Sequence, residues 1–368
     1  MMFSVITCCI RQQIAKLFAR MIFWFCKVRW YLTRKHRTNT FSTTLPGCIW
    51  GITTFFNPCG YTAIMANYHV FRKSLQKQGL PLITVELAFG NDPFFFHKED
   101  ADILIQRRGG DVLWQKERLL NIALEYLPDN CDKVVWLDSD VLFENGDWVE
   151  QTSKNLEQYM VVQPFSAIIR LPHGVTRCDW QTCHRGTGEK ELFHSFGYSM
   201  VHYGKIAARF FHSRGMTGGA MAMRRSLLHK YKFYDADITG AGDLIMAQAF
   251  CGNTTYERLA MMSVAQKMHV QQWAQDITEG TQCSVHYTQG IAYHLWHGEK
   301  KNRRYTQRHV ATKSANFDPE KDIIIDAISG AWCWNSTKPA LHNASIQYFA
   351  KRKEDGESPL TESRSFTS

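Results

Sequence analysis

The sequence predicts an α/β fold in which a mostly parallel β-sheet is flanked by helices on both faces. Apolar, β-branched runs alternate with amphipathic helical patterns through the first half of the chain, an order that favours parallel strands joined by helices. Of the 368 residues 45% are hydrophobic, which is enough to bury the core of one large domain. Sheets of this kind bind ligands at the carboxyl ends of their strands, so we expect the functional site there.

The segment that precedes the predicted sheet, residues 1–37, is strongly basic. It carries eight of the nine excess positive charges of the chain, and the first acidic residue is Glu86. The rest of the chain is therefore close to neutral. This distribution argues against a broad nucleic-acid-binding face on the main domain.

Residues 10–32 have the pattern of an amphipathic helix that lies in a membrane interface. Apolar side chains at spacings of three and four form one stripe: Ile10, Ile14, Leu17, Met21, Phe25, Val28 and Leu32. Lys16, Arg20 and Lys27 fall on another side, where they would meet anionic headgroups. The longest uncharged run between basic residues is Met21–Cys26, whereas a spanning helix needs about 20 apolar residues. We therefore expect peripheral membrane association. A single N-terminal anchor in a Golgi-type membrane and a solvated basic arm are the alternatives.

The elements after this segment can be assigned in order along the chain. A Ser/Thr-rich linker over 38–47 precedes a strand over 48–56, a helix over 61–78, strands over 82–88 and 103–105, a helix over 114–127 and a strand over 133–137. The second half is less regular, with a strand over 218–223, a helix that follows a glycine-bounded loop at 240–243, a long helix over 254–275 and a strand over 291–296. The polar tail over 353–368 is predicted to be disordered.

Two aspartates follow the buried strand at a spacing that places both carboxylates on one side. Asp138, Ser139 and Asp140 come directly after the apolar run that ends at Leu137. Such carboxylates repel each other unless a cation lies between them, and Mg²⁺ and Mn²⁺ prefer oxygen ligands and leave sites open for phosphates. The spacing therefore predicts a divalent metal site.

These residues carry a resemblance to a known group of enzymes. The run over 114–121 followed by that over 134–140 resembles the first half of GT-A-type glycosyltransferases, which have a Rossmann-like sheet and a DxD metal motif. The resemblance implies a domain over 48–352, with a nucleotide-binding half (48–165), an acceptor half (166–305) and a C-terminal elaboration (306–352). It also implies Mn²⁺ or Mg²⁺ bound by Asp138 and Asp140. The residues that it implies for nucleotide-sugar binding in the first half are Thr53, Phe55, Asn57, Lys116, Asn121, Asp138 and Ser139.

The second half is similar, more loosely, to the galactosyltransferase-like branch of that fold. Gly218-Gly219 is followed by the loop that ends at Asp243, and the resemblance implies that Gly219 contacts the donor and that Asp243 is the catalytic base. The family pattern has two adjacent acidic residues, whereas this chain has one. An N-terminal cap on the following helix is the alternative role for Asp243.

A histidine late in the chain completes the predicted site. GT-A enzymes that use a metal place such a histidine as the third ligand, which here would be His297, with His294 as the alternative. A basic run follows it, in which Arg303 would contact the diphosphate of the donor.

Together these features predict a metal-dependent glycosyltransferase. It would move a hexosyl or N-acetylhexosaminyl group from a nucleoside diphosphate sugar, UDP-linked by preference, to a hydroxyl of a glycan, lipid or protein. Activation of that hydroxyl by Asp243 would invert the configuration of the sugar. The alternatives are a retaining transferase, a sugar-nucleotide nucleotidyltransferase, and an inactive carbohydrate-binding protein.

Overall fold

A computed structural model of the chain describes residues 38–176, 192–204, 215–304 and 307–356. It confirms the predicted α/β fold, a mostly parallel sheet flanked by helices. The predicted amphipathic helix in residues 1–37 lies outside the described residues, as do positions 357–368 of the predicted tail. No helix in the described part of the chain is long and apolar enough to cross a membrane.

The central sheet has seven strands. From edge to edge they are β3 (Ile103–Arg108), β2 (Leu82–Ala88), β1 (Cys48–Phe56), β4 (Cys131–Leu137), β9 (Ala220–Arg224), β6 (Val161–Gln163) and β10 (Val285–Tyr287). Of these seven strands, β9 alone runs antiparallel to its neighbours. All residues of β2 and β9 are buried, as expected for strands covered on both faces.

Ten α-helices connect or cover the strands within the described residues. They are α1 (Thr62–Lys77), α2 (Lys116–Ala123), α3 (Trp148–Gln158), α4 (Phe196–Tyr203), α5 (Arg225–Tyr231), α6 (Gly242–Phe250), α7 (Val264–Thr281), α8 (Arg308–Ser314), α9 (Pro319–Asp322) and α10 (Pro339–Lys351). Short 3₁₀ segments lie at Lys98–Asp100, Leu124–Tyr126, Glu257–Met261 and Lys300–Arg303.

One predicted helix is placed differently by its capping residue. The helix expected over 254–275 starts at Val264 and ends at Thr281. The side chain of Ser263 accepts a hydrogen bond from the backbone amide of Gln266 at 3.1 Å, which fixes the start of the helix at that point.

The hydrophobic core divides between the two faces of the central sheet. On one face Ile52 and Trp136 pack with α2, α6 and α7, and Trp136 meets the ring of Phe233 edge-on at 5.0 Å. On the other face Phe55 packs with residues of α1 and α3. Because successive side chains of a strand point to opposite faces, strands buried on both sides contribute to both cores.

A second sheet lies next to the carboxyl end of β4. It contains β5 (Val141–Phe143), β11 (Ile291–His294), β7 (Ala167–Arg170) and β8 (Leu192–His194), in that order. A two-stranded sheet is formed by β12 (Ile323–Ile325) and β13 (Trp332–Trp334). The turn at 138–140 joins β4 of the central sheet to β5 of the second sheet, so it stands where the two sheets meet.

The segments predicted as a linker and as the start of a tail are packed on the domain. In the predicted linker, Leu45 accepts a hydrogen bond at 2.6 Å from the buried ammonium group of Lys133. At the other end, the backbone amide of Ala63 in α1 donates to the carboxylate of Asp355 at 2.7 Å. The polar composition of both segments indicated solvent exposure, but their partners lie far away in the sequence.

Candidate active-site cleft and metal centre

A cleft of about 450 Å³ opens where β1, β4 and the start of β9 meet the second sheet. Its wall includes Asp138, Ser139 and Asp243, together with aromatic and basic side chains from α10 and from the loop that follows β11. The cleft therefore lies at the carboxyl ends of β1 and β4, as the sequence predicts.

The turn after β4 directs its two aspartates to different partners. Ala220 of β9 lies opposite Leu137, so the glycine before it faces Asp138. The backbone amide of Asp138 donates to the carbonyl of Gly219 at 2.8 Å, and the Gly219 amide donates to Oδ2 of Asp138 at 3.0 Å. Asp138 is thus held against the start of β9.

Asp140 faces β11 instead. Because β5 and β11 are antiparallel with Val141 opposite His294, the end of β11 lies beside the turn. Nε2 of His297 is 2.9 Å from Oδ2 of Asp140, and Nε2 of His294 is 3.8 Å from Oδ1. Potential ligand atoms of the three residues lie within 4.8 Å of one another.

The second nitrogen of each imidazole has a partner of its own. Nδ1 of His294 is 2.8 Å from the carbonyl oxygen of Leu295, and Nδ1 of His297 is 2.9 Å from Oε1 of Glu354. With the proton on Nδ1 of each ring, Nε2 keeps its lone pair and can bind a metal ion. Both Nε2 atoms face Asp140. Burial lowers the pKa of His294 to about 4, against the opposing effect of the Asp140 charge, so this ring is neutral near pH 7.

This donor set fits a divalent metal ion. Two imidazole lone pairs and a carboxylate converge, and Oδ1 of Asp140 is buried without a hydrogen-bond partner among the described residues. Facing acceptors repel each other unless a cation is present to bind them. The guanidinium of Arg303 brings one positive charge to this point, with Nη2 2.5 Å from Nε2 of His297. Hydrogen bonds to the outer nitrogens of the rings are the usual way in which proteins orient histidine ligands.

Asp138 lies outside this group of ligands, because both of its oxygens are bound elsewhere. Oδ1 is 2.6 Å from Nζ of Lys116, and Oδ2 accepts from Gly219. Its role as a metal ligand stays a prediction, as does that of Asp140 and His297. His294, offered as an alternative to His297, stands beside it in the structure.

Lys116 connects Asp138 to Asp243. Its Nζ atom donates to Oδ1 of Asp243 at 3.0 Å and to Oδ2 at 3.1 Å. Burial opposes the charge on Lys116, but the neighbouring carboxylates of Asp138 and Asp243 hold its pKa well above the usual value. The predicted contact of Lys116 with the nucleotide stays a prediction; the contacts seen are with two carboxylates.

Asp243 lies in the first turn of α6, and its side chain does not cap the helix. The capping position belongs to Ala241, whose amide is held by Asp237. Burial raises the pKa of Asp243, with Lys116 opposing the shift and Asp138 adding to it. A carboxylate with a raised pKa at the wall of a cleft has the properties of a general base.

The rest of the wall is aromatic and cationic. The ring of Trp114 stacks on that of Phe349 at 6.3 Å and meets Phe56 edge-on at 5.5 Å. Arg170 and Lys300 lie over the ring of Phe193, at 5.1 and 5.4 Å from its centre. An apolar wall with several cations suits a ligand that combines rings with phosphates.

The other residues predicted to bind the nucleotide sugar divide into two groups. Those that line the cleft are Phe55, Asn57, Ser139, Gly219 and Arg303. Within this group the Asn57 amide is already bonded to the backbone of Tyr61, at 2.8 and 2.9 Å. Thr53 and Asn121 do not line the cleft, and their contact with the nucleotide stays a prediction. Thr53 is buried and donates to the Leu137 carbonyl at 2.8 Å, while Asn121 is bonded to Phe233 and Asp235.

The sequence patterns did not predict that the C-terminal region forms part of the cleft. Tyr348, Phe349, Arg352 and Glu354 all line the cleft. Glu354 lies 57 positions from His297, and no sequence pattern predicts a contact between residues at that separation. A helical pattern ends just before Glu354, and it was a weak indication that this region packs on the domain.

No protein-family model and no curated protein sequence matches this chain. Similar solved structures include a mannosyltransferase from Pyrobaculum calidifontis in complex with GDP-Man and Mn²⁺, at 13% identity and a TM-score of 0.39, over 90% of this chain and 79% of that one. TarS residues 1–349 from S. aureus in complex with UDP match at 12% identity and a TM-score of 0.34, over 72% and 64%.

The catalytic domain of Drosophila β1,4-galactosyltransferase 7 in complex with xylobiose matches at 9% identity and a TM-score of 0.33. The match covers 66% of this chain and 65% of that domain, so the chain spans just under two thirds of its length. Similarities at these identities and TM-scores assign no function to this chain. The function of this chain is therefore inferred from its own residues.

Proposed function

We propose that this chain is a metal-dependent glycosyltransferase that moves a hexosyl or N-acetylhexosaminyl group from a nucleoside diphosphate sugar to a hydroxyl group. The observation that carries the proposal is that a metal-type donor set and a half-buried base meet at one cleft. His294 and His297, which line the cleft, form the first together with the adjacent Asp140, and Asp243 forms the second. The cations and aromatic rings of the wall suit a nucleotide and its diphosphate.

Each group has a defined part in the transfer. A divalent ion held by Asp140, His294 and His297 would neutralise the charge of the leaving diphosphate. The acceptor oxygen attacks the anomeric carbon, the bond from that carbon to the diphosphate oxygen breaks, and the acceptor proton passes to Asp243. Direct displacement of this kind inverts the configuration of the sugar. Lys116 keeps Asp243 in place and favours its ionised form before the attack.

The decisive test is release of nucleoside diphosphate from a panel of UDP and GDP sugars in Mn²⁺, in Mg²⁺ and in EDTA. We expect slow hydrolysis of one donor, lost in EDTA and in Asp140→Ala and His294→Ala. Exposed His229 provides the matched control, and His229→Ala should retain the activity. Absence of both turnover and metal-dependent nucleotide binding in the native protein would refute the proposal. Product stereochemistry by NMR distinguishes inversion from retention.

We also propose that residues 1–37 attach the protein peripherally to membranes. The support is the sequence pattern, in which an apolar stripe lies opposite basic side chains. Deletion of residues 1–37 should release the protein from anionic vesicles without loss of turnover. Sedimentation of the deleted form with vesicles as strongly as the native chain would contradict this.

A further inference from the structure

The C-terminal segment, defined here as residues 339–356, ends beside the metal-type donor set. The carboxylate of Glu354 accepts a hydrogen bond from Nδ1 of His297 at 2.9 Å. Both residues are almost completely buried, with 6% of His297 and 5% of Glu354 exposed. A buried carboxylate against the outer nitrogen of a histidine fixes both the tautomer and the direction of the ring.

We propose that Glu354 is a positioning residue for the metal centre, acting through His297. It accepts the hydrogen bond that Nδ1–H of His297 donates, and so directs the lone pair of Nε2 to Asp140, 2.9 Å away. This inference rests on the metal centre of the proposed function, but it does not depend on which sugar is moved.

The two histidines differ in how they are oriented. His294 donates to the carbonyl of Leu295, its neighbour in the chain, so its orientation follows from local backbone. His297 depends on a side chain 57 positions later. The C-terminal segment therefore sets one ligand and leaves the other unaffected.

Glu354 is itself held in place by a buried cation. Nε of Arg352 donates to Oε1 of Glu354 at 2.7 Å, and Nη1 donates to the hydroxyl of Tyr348 at 2.7 Å. Nη2 of Arg352 also pairs with Oε1 of Glu354, so a buried guanidinium lies directly against the carboxylate. A charged acceptor makes a stronger hydrogen bond to an imidazole than a neutral one does.

The segment is fastened on both sides of Glu354. Asp355 accepts hydrogen bonds from the amides of Thr62 and Ala63, at 3.0 and 2.7 Å, and so binds the start of α1. Gly298, with φ at +85°, allows the backbone at Lys353 to approach closely, since a Cβ atom at position 298 would lie 2.7 Å from the carbonyl oxygen of Lys353. These contacts lock residues 352–355 between α1 and the loop after β11.

The experiment is a titration of the full-length chain with Mn²⁺, followed by electron paramagnetic resonance of the free ion. We expect Glu354→Ala to weaken Mn²⁺ binding by about 10- to 100-fold, the usual effect of removing such a partner of a histidine ligand. Glu354→Gln keeps an oxygen that accepts a hydrogen bond from Nδ1–H of His297, so its Mn²⁺ affinity should lie closer to that of the native protein. This separates orientation of the ring from loss of charge.

Asp355→Ala is the matched control. It removes a neighbouring carboxylate that fastens the same segment but does not touch His297, so thermal stability should fall while Mn²⁺ affinity stays within about twofold. Equal loss of affinity in Asp355→Ala and Glu354→Ala would assign Glu354 a merely structural role. Native affinity in Glu354→Ala, or Glu354→Gln as weak as Glu354→Ala, would also overturn the inference.

The outcomes also separate this inference from the proposed function. Mn²⁺ binding that depends on Glu354, without turnover of any donor, would support the positioning role and refute the transferase. Turnover with unchanged Mn²⁺ affinity in Glu354→Ala would do the reverse. A native chain that binds no Mn²⁺ would refute both.

Discussion

The ammonium group of Lys116 lies 3.0 Å from Oδ1 of Asp243, although the two residues are 127 positions apart. The same group lies 2.6 Å from Oδ1 of Asp138. One buried cation therefore links the acidic turn after β4 to the proposed catalytic base in α6. This link has consequences for stability and for turnover that can be measured separately.

Replacement of Lys116 by Met should destabilise the protein by about 3–5 kcal/mol, because two carboxylates lose their buried partner. Chemical denaturation of native and variant protein measures this loss. Adding Asp243→Asn removes one of the two unpaired charges, so the double variant should be less destabilised than the sum of the single variants. Strict additivity of the two changes would show that the pair is not energetically coupled.

Replacement of Asp243 by Asn should lower turnover by about 10²- to 10⁴-fold, because the amide cannot take the acceptor proton. The amide oxygen still accepts from Lys116, so the fold is retained. Mn²⁺ affinity should not change, since Asp243 lies outside the metal-type donor set. Native turnover in this variant would exclude Asp243 as the base and would favour a retaining mechanism or another base.

Replacement of Gly218 by Ala should disturb the two carboxylates on either side of it. A Cβ atom there would lie 3.0 Å from Oδ2 of Asp243 and 3.7 Å from Oδ2 of Asp138. A small displacement of a catalytic group lowers turnover by about 10- to 100-fold. Gly146→Ala is the control, since its Cβ would meet no atom within 4 Å. Equal activity of the two variants would argue against a tight arrangement at the cleft.

Glu117 should make the stability of the protein depend on pH. Burial raises its pKa to about 8, with Lys116 opposing this shift and Asp243 adding to it. The folded chain therefore holds a proton that the unfolded chain releases near pH 4.5, the ordinary pKa of the group. Stability from this group is present below pH 4.5 and is lost as the pH rises to about 8, at up to ~1.4 kcal/mol per pH unit.

Glu117→Gln removes this ionisation and keeps an oxygen near the indole nitrogen of Trp114, which donates to Glu117 at 3.0 Å. The variant should therefore gain stability relative to the native protein between pH 5 and about pH 8, as measured by urea denaturation at each pH. A difference in stability that stays constant over this range would mean that Glu117 is ionised in the folded protein.

Local patterns in the sequence predicted five of the seven strands of the central sheet and the position of the acidic turn; β6 and β10 were not predicted. Strands β1, β2 and β4 are apolar runs bounded by Pro, Gly or charged residues, and burial on both faces gives such runs little choice of structure. The carboxyl ends of parallel strands share one edge, so the place of Asp138 and Asp140 followed from the same patterns.

The tertiary structure alone decided which partner each polar group meets. The sequence pattern predicts the same role for Asp138 and Asp140. In the structure Asp138 is bonded to Gly219 at the start of β9, whereas Asp140 contacts His297 after the end of β11. Thr53 and Asn121 have the side chains of ligand-binding residues and instead bond to backbone or buried groups. Glu354 lies in a segment whose composition predicts exposure, yet its carboxylate meets His297. Hydrogen bonds between distant segments depend on how the loops pack against each other. Local periodicity reports only which face of a helix or strand a residue occupies, so it does not predict these partners.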